Sequence, residues 1–144
     1  MRLTGYRVVF PLRSKAIYKR IELNMDKINK ILFITLSNIG DAVLTLPVLD
    51  LLRANFPQAQ ITVMVGPRPQ DIFKNNPYVG KVVVYDKHSA LKEKISLFNA
   101  LKTEQFDLIV DLRNSVYGRF LPARYRAIQG MFSGKQKGHM LNKH

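Results

Sequence analysis

One carboxylate, Asp41, lies where a predicted strand, turn and helix meet. The apolar, β-rich run 31–36 predicts a central strand of a parallel sheet, residues 37–40 predict a turn, and a helix is expected from Asp41 to about Asn55. Strand-to-helix turns of α/β proteins hold ligands, because strand ends and helix-terminal N–H groups converge there. The segment therefore predicts a ligand site with an acidic side chain beside it.

Asp41 has two interpretations at this level. As the N-cap of the helix it would contribute about 1 kcal/mol, although Leu44 stands where a capping box has Glu or Gln. As a functional group it would face a ligand at the turn. Pro47 falls inside the predicted helix, where it removes one backbone hydrogen bond and is expected to kink or loosen the first turns.

The turn lacks the signatures of the common phosphate-binding loops. Gly40 is its single glycine, whereas a dinucleotide fingerprint needs three spaced glycines, and no Gly-Lys-Ser/Thr ending follows. The sequence thus indicates a Rossmann-like unit without the usual nucleotide signature. The chain has no cysteine, and His88, His139 and His144 are too scattered to indicate a metal site.

The chain of 144 residues is long enough for one domain, and its net charge of +13 is unevenly distributed. Residues 1–30 carry a net charge of +6, residues 31–112 are neutral, and residues 113–144 carry +7. Basic ends favour an anionic partner such as lipid headgroups, an acidic glycan or nucleic acid. Solvated tails without a partner are an equally open alternative.

Strand and helix patterns alternate further along the chain. Strands are predicted at 60–65, 81–85 and 106–112, with helices at 69–75, at 90–103 and from within 113–125. No strand is expected after the fourth. The βαβαβαβ order implies a parallel sheet with right-handed crossovers. Its ligand-binding edge would carry residues 37–41, 66–68, 86–88 and 111–115.

The beginning of the chain stands outside this pattern. Residues 1–27 are interpreted as a basic N-terminal extension, and Met25 is a candidate for the true start of translation. The alternative is a basic amphipathic segment on an anionic membrane surface. No run approaches the ~20 apolar residues of a membrane span. A cytoplasmic protein is expected, with peripheral contact to the inner membrane as a further possibility.

Four segments follow one another in a recognisable order: LSNIGDAVLTLP, NNPYVGKVVVYD, FDLIVDLRNS and KGHMLNKH. The first combines a Ser-x-x-Gly-Asp turn with Thr-Leu-Pro in the helix, and this combination is fairly specific. The succession resembles glycosyltransferase family 9, the ADP-heptose:lipopolysaccharide heptosyltransferases. The resemblance covers about residues 28–144.

The resemblance implies a two-lobed GT-B fold whose N-terminal Rossmann-like lobe binds the acceptor. Residues 28–144 resemble that lobe alone, so the resemblance implies an enzyme truncated before its donor lobe and inactive in isolation. The implied reaction transfers a sugar such as heptose, with inversion, from ADP-heptose to a lipopolysaccharide core or related anionic lipid-linked glycan. It implies no metal and no cofactor, since the nucleotide sugar would be bound mainly by the second lobe.

The resemblance also implies roles for individual residues. Asp41 matches the proposed catalytic base, which removes the proton of the attacking hydroxyl, and this match favours the functional interpretation over the cap. Cations beyond the strand ends could pair with acceptor anions, arginine in a bidentate manner. The candidate substrate-binding residues are Ser37, Asn38, Gly40, Arg68, Arg113 and Asn114.

Two other functions stay open. One is a basic protein that binds nucleic acid or an anionic surface, since aromatic and basic residues alternate within 117–126. No recognised nucleic-acid motif accompanies them, and no specific nucleic acid is expected. The other is a non-catalytic remnant lobe that pairs with a separate donor lobe.

Overall fold

The structure is a computed structural model that describes residues 28–35 and 37–128. The expected extension 1–27 with Met25, the His-containing segment at 137–144 and Leu36 lie outside these residues. The elements are β1 (Lys30–Ile34), α1 (Ile39–Asn55), β2 (Gln60–Val65), α2 (Gln70–Lys74), β3 (Lys81–Val84), α3 (Leu91–Glu104), β4 (Phe106–Asp111), α4 (Val116–Phe120) and β5 (Ala123–Ile128).

The described strands form one parallel sheet in the order β3-β2-β1-β4-β5. β1 is central and apolar because both of its faces are covered, as a central strand of a parallel sheet requires. Ile31 and Phe33 join a core with residues of α1 and α2, whereas Leu32 and Ile34 join a second core with residues of α3 and α4. The predicted Rossmann-like α/β fold is confirmed.

The predicted start of α1 at Asp41 was wrong by two residues. α1 begins at Ile39, and Asn38, which has an extended backbone (φ −89°, ψ 144°), is the N-cap residue. Asp41 therefore lies in the first turn and is not the cap, since Ala42 N–H already bonds to the carbonyl of Asn38 at 2.9 Å. The helix continues through Pro47 to Asn55, so the proline removes a hydrogen bond without ending the helix.

The expectation that no strand follows β4 was also wrong. β5 pairs with β4 in parallel from Ala123 to Ile128. Arg124 and Arg126 point outward and Tyr125 and Ala127 pack towards the core, which is the alternation of an edge strand with one solvated face. The expected helix within 113–125 is present, but only as the five residues of α4.

A buried carboxyl group, Asp111, fixes the turn that follows β4. It is fully buried and accepts hydrogen bonds from the N–H of Arg113 (2.9 Å) and from the N–H and hydroxyl of Ser115 (2.7 and 3.0 Å). The Ser115 oxygen in turn accepts from Gly118 N–H at 3.1 Å and so caps α4. Gly118 packs so closely on Asp111 that a Cβ atom would collide with the carboxyl group.

A second charged cluster lies at the amino ends of the strands. Glu104, the last residue of α3, lies there between two lysines. Lys81 Nζ lies 2.8 Å from one carboxyl oxygen, and Lys30 Nζ lies 3.8 Å from the other. The hydrogen bond and charge of Lys81 are the main causes that lower the pKa of Glu104. The cluster ties the start of β1 and of β3 to the end of α3.

We predict that Gly118→Ala destabilises the fold by roughly 1–3 kcal/mol, because overpacking would displace the Asp111 carboxyl group. The matched control is Gly40→Ala, whose new Cβ would meet nothing within 4 Å. Since Gly40 lies inside α1, the control should raise the free energy of unfolding by up to about 1 kcal/mol. Denaturant unfolding measures both, and equal effects of the two substitutions would contradict the packing argument.

We predict a pH-dependent contribution from Glu104. Its folded-state pKa is below the usual 4.5, so the stabilisation is complete above that value and is lost as the pH falls through the folded-state pKa. Glu104→Gln should lower the free energy of unfolding at pH 7 by less than about 1 kcal/mol, since the pair is partly exposed. The difference from the parent should vanish in acid. The control Glu93→Gln removes a carboxylate of the same helix that forms no ion pair among the described residues, and it should leave the free energy of unfolding at pH 7 unchanged.

Candidate functional site at the carboxyl edge of the sheet

A cavity of about 230 Å³ opens at the carboxyl ends of the central strands. It lies where the strand order reverses between β1 and β4, which is the usual ligand site of an open parallel sheet. Its volume is below the ~300 Å³ of pockets that enclose drug-sized ligands. It therefore fits one sugar ring or one anionic group rather than a whole nucleotide sugar. Its lining residues are Ile34, Thr35, Met64, Val65, Tyr85, Arg113, Asn114, Ser115, Val116 and Tyr117.

Arg113 brings a positive charge to the cavity wall. Its guanidinium lies over the ring of Tyr85, with 5.1 Å between the guanidinium carbon and the ring centroid. Among the described residues no carboxylate lies within ion-pair distance of this guanidinium, and its N–H groups bond to no other side chain. The aromatic contact orients the cation, and within residues 28–35 and 37–128 its donors remain available to an anion.

Tyr117 also lines the cavity and is buried. Its ring meets that of Tyr85 edge-to-face at 5.3 Å, and its hydroxyl donates to the carbonyl of Lys94 at 3.2 Å. Burial, with a smaller contribution from Tyr85, raises the pKa of the Tyr117 hydroxyl above its usual value of 10.0. Tyr117 is therefore a neutral donor that joins α4 to α3.

Thr35 connects the cavity to α1. It is fully buried, and its hydroxyl lies 2.7 Å from the hydroxyl of Thr45, which donates to the carbonyl of Ala42. These bonds fix the first turns of α1 relative to the end of β1. Asp41 lies in that first turn, half-exposed, and its carboxylate accepts a hydrogen bond from the Asn38 amide at 3.2 Å. A carboxylate near a helix N-terminus is also favoured by the helix dipole.

The structure brings two of the predicted site residues into the cavity wall, Arg113 and Asn114. Asn114 has a left-handed backbone (φ 57°), and its side-chain oxygen accepts two hydrogen bonds from Arg119, so only its amide N–H groups are available. Asn114 therefore combines a structural contact with a position at the cavity. Arg68 is exposed after β2 and does not line the cavity.

The other predicted residues belong to the start of α1 rather than to the cavity. Ser37 approaches Gly66 so closely that a Cβ atom there would lie 2.9 Å from the Ser37 Cβ. Gly40 lies inside the helix with open space around it. Ser37 thus packs in the turn against Gly66, Gly40 belongs to α1, and the Asn38 amide donates a hydrogen bond to the Asp41 carboxylate.

Sequence reasoning missed the aromatic walls of the cavity. Tyr85 was predicted as the last residue of the third strand, but β3 ends at Val84, so Tyr85 begins the loop at the carboxyl edge. Tyr117 follows the end of β4 by six residues and is turned inward by the short α4. Their position just beyond strand ends was the signal that could have identified them.

The alternation of aromatic and basic residues within 117–126 does not form a stacking surface in the described part of the chain. Tyr117 is buried, and Tyr125 packs against the core under β5. Of the aromatic residues in this stretch, Phe120 alone is largely exposed, at 69%. Nucleic-acid binding through a row of aromatic rings needs several exposed rings in succession, and this surface does not provide them.

Comparisons with known proteins agree with this architecture. The chain is 28% identical over 108 residues to lipopolysaccharide heptosyltransferase 3 of Escherichia coli K12, a match that covers 69% of the chain and 31% of that protein. The glycosyl transferase family 9 structure from Veillonella parvula superposes with a TM-score of 0.53 at 26% identity, over 65% of the chain and 28% of that structure. No protein-family model matches the chain.

A second solved structure, that of the E. coli ADP-heptose lps heptosyltransferase II, matches with a TM-score of 0.51 at 28% identity. This match covers 60% of the chain and 25% of that structure. The chain thus spans less than a third of the length of the curated relatives it matches. By shared sequence and shared fold over this segment, the chain is a relative of the glycosyltransferase family 9 heptosyltransferases.

Proposed function

We propose that this chain contributes the acceptor-binding lobe of an inverting, heptosyltransferase-like glycosyltransferase. The observation that carries the proposal is the Arg113 guanidinium in the wall of a cavity at the carboxyl edge of the sheet. Asp41 lies at the same edge, in the first turn of α1. The named functions of the relatives support it, since these are lipopolysaccharide heptosyltransferases. The donor would be a nucleotide sugar such as ADP-heptose, and the acceptor an anionic lipopolysaccharide core or related glycan.

The proposed chemistry assigns Asp41 the role of general base. As the acceptor hydroxyl attacks the anomeric carbon of the donor, its proton passes to a carboxylate oxygen of Asp41. The new C–O bond forms on the face opposite the diphosphate, which leaves with the electron pair of the broken bond. The hydrogen bond from Asn38 restricts the rotation of the Asp41 carboxylate, so that one oxygen can face the acceptor.

The cavity would hold an anionic group of the acceptor. Arg113 has its N–H groups available there, and its planar fork suits a carboxylate or phosphate. Asn114 adds amide N–H donors on the same wall. The small volume fits a single acidic sugar or phosphate substituent, which leaves the rest of the glycan outside. Arg68 lies on the same edge of the sheet but away from the cavity and would contact a more distant part of the glycan.

We also propose a cytoplasmic location with access to the inner membrane, where a lipid-linked acceptor is found. Within the described residues no helix is both long and apolar enough to cross a membrane. The proposal is supported by the lipopolysaccharide-related function that the names of the relatives state.

We predict that Asp41→Asn lowers kcat for sugar transfer by about 10²–10⁴-fold, because the general base is removed while the shape of the side chain is kept. Transfer from ADP-heptose to a lipopolysaccharide core acceptor is measured with the full protein that carries this chain. Asp50→Asn, an exposed carboxylate on the same helix, is the matched control and should leave kcat within about twofold. Near-normal transfer by the Asp41 variant would refute the assignment.

We predict that Arg113→Ala weakens binding of a deacylated lipopolysaccharide core oligosaccharide to the 144-residue chain by roughly tenfold, the effect of losing a charged hydrogen bond. Arg113→Lys should recover part of the affinity, since it keeps the charge but not the bidentate fork. Arg124→Ala on the outer face of β5 is the control and should change nothing. Titration calorimetry measures all three, and equal losses for Arg113 and Arg124 would indicate non-specific charge attraction instead.

A further inference from the structure

The exposed side of α1 is almost entirely apolar. Leu44 is 77% exposed, Ile39 54% and Leu51 51%. Among the exposed residues of α1, Asp50 is the one with a polar side chain. Four of the apolar residues stand four positions apart and so form a row along the helix, with a fifth beside it. We call these five residues the outer row: Ile39, Val43, Leu44, Pro47 and Leu51.

The opposite side of α1 is apolar as well. Ala42, Leu49 and Leu52 are buried there in the core that α1 forms with the sheet. A surface helix turns a polar side to water, whereas a helix that is apolar all round is covered on every side. Large exposed apolar groups that lie together mark interaction surfaces. The outer row is therefore a surface that another segment covers.

The charged residues of α1 give the outer row an acidic border. Asp50 is exposed beside the row, and Asp41 lies in the first turn of the same helix. Neither carboxylate forms an ion pair among the described residues. The basic residue of α1, Arg53, donates hydrogen bonds to the carbonyls of Pro57 and Tyr78 at 2.8 and 2.7 Å. The outer row thus fits an occupant that is both apolar and basic.

The chain itself holds a segment of this composition, residues 8–21, which lies outside the described residues. Seven large apolar side chains alternate there with four cations, and residues 1–21 contain no acid. The apolar residues are Val8, Val9, Phe10, Leu12, Ile17, Tyr18 and Ile21, and the cations are Arg13, Lys15, Lys19 and Arg20.

The described part of the chain begins on the same side of the sheet as α1. Ile28 is buried in the core that contains Leu52 of α1. α1 ends at the amino edge of the sheet, where the N–H of Gln60 donates to the carbonyl of Asn29 at 2.8 Å. The step from residue 21 to residue 28 can span about 23 Å when extended, which exceeds the 10–12 Å diameter of a helix. Residues 8–21 can therefore reach the outer row.

We propose that residues 8–21 dock on the outer row of α1. The apolar side chains of the segment remove the row from water, and its cations lie beside Asp50. A tethered segment has a high effective concentration at a surface within its reach. A second copy suits the row less well, because two-fold pairing of α1 would bring two Asp50 carboxylates and two chains of net charge +13 together. The proposal does not depend on the proposed sugar transfer.

The chain contains no tryptophan, so a single introduced indole reports on one position. Leu51→Trp places the indole in the outer row. Leu91→Trp is the matched control, since Leu91 is 72% exposed and belongs to α3, which packs on the other face of the sheet. Each variant is made in the 144-residue chain and in a shortened chain that begins at Met25. Circular dichroism confirms the fold, and indole emission and acrylamide quenching are measured.

We expect the indole of the Leu51→Trp variant to emit further to the blue, and to be quenched less by acrylamide, in the 144-residue chain than in the shortened one. The Leu91→Trp indole should be the same in both. Equal emission of the Leu51→Trp variant in the two chains would overturn the proposal. A blue shift that depends on protein concentration would assign the row to a second copy, and one that appears only with anionic vesicles would assign it to a membrane; each would also overturn the proposal.

Cross-linking within the 144-residue chain tests the contact without shortening it. The chain has no cysteine, so Tyr18→Cys with Leu51→Cys supplies one pair of thiols for a short bismaleimide, and Tyr18→Cys with Leu91→Cys supplies the control pair. The first pair should give about tenfold more intramolecular product than the control, at a yield independent of protein concentration. Adding Asp50→Lys should lower that yield, because the reversed charge repels the cations of the segment. Equal yields from the two pairs would refute docking on the outer row.

Discussion

The candidate site depends on one buried carboxyl group, Asp111, at the end of β4. Removing a carboxylate from water is costly unless hydrogen bonds replace its hydration, and here two backbone N–H groups and a hydroxyl do so. The chain after β4 must therefore turn tightly around this side chain. That turn sets the direction of Arg113 towards Tyr85 and makes Ser115 the cap of α4. Its geometry leaves no room for a side chain at position 118, which explains the glycine there.

The order of the strands in the sheet explains why Asp41 and Arg113 belong to different elements. β2 and β3 are added on one side of β1, and β4 and β5 on the other, so the connections after β1 and β4 leave on opposite faces. The cavity lies at the strand ends, and the turn after β4 carries Arg113 into its wall. α1 begins at the same edge and carries Asp41 in its first turn. A carboxylate and a guanidinium thus lie at the same edge of the sheet without forming an ion pair in the described residues.

The sequence predicted those parts of the fold that local patterns determine. Residues 60–65 were predicted as a strand and form β2 with the same bounds, because a continuous β-branched run between turn residues has few alternatives. β5 was missed because Arg124 and Arg126 interrupt its apolar residues, and its burial comes from pairing with β4 alone. The cavity walls were missed for a related reason. Tyr85 and Tyr117 are 32 positions apart in the sequence and meet only through the topology of the sheet.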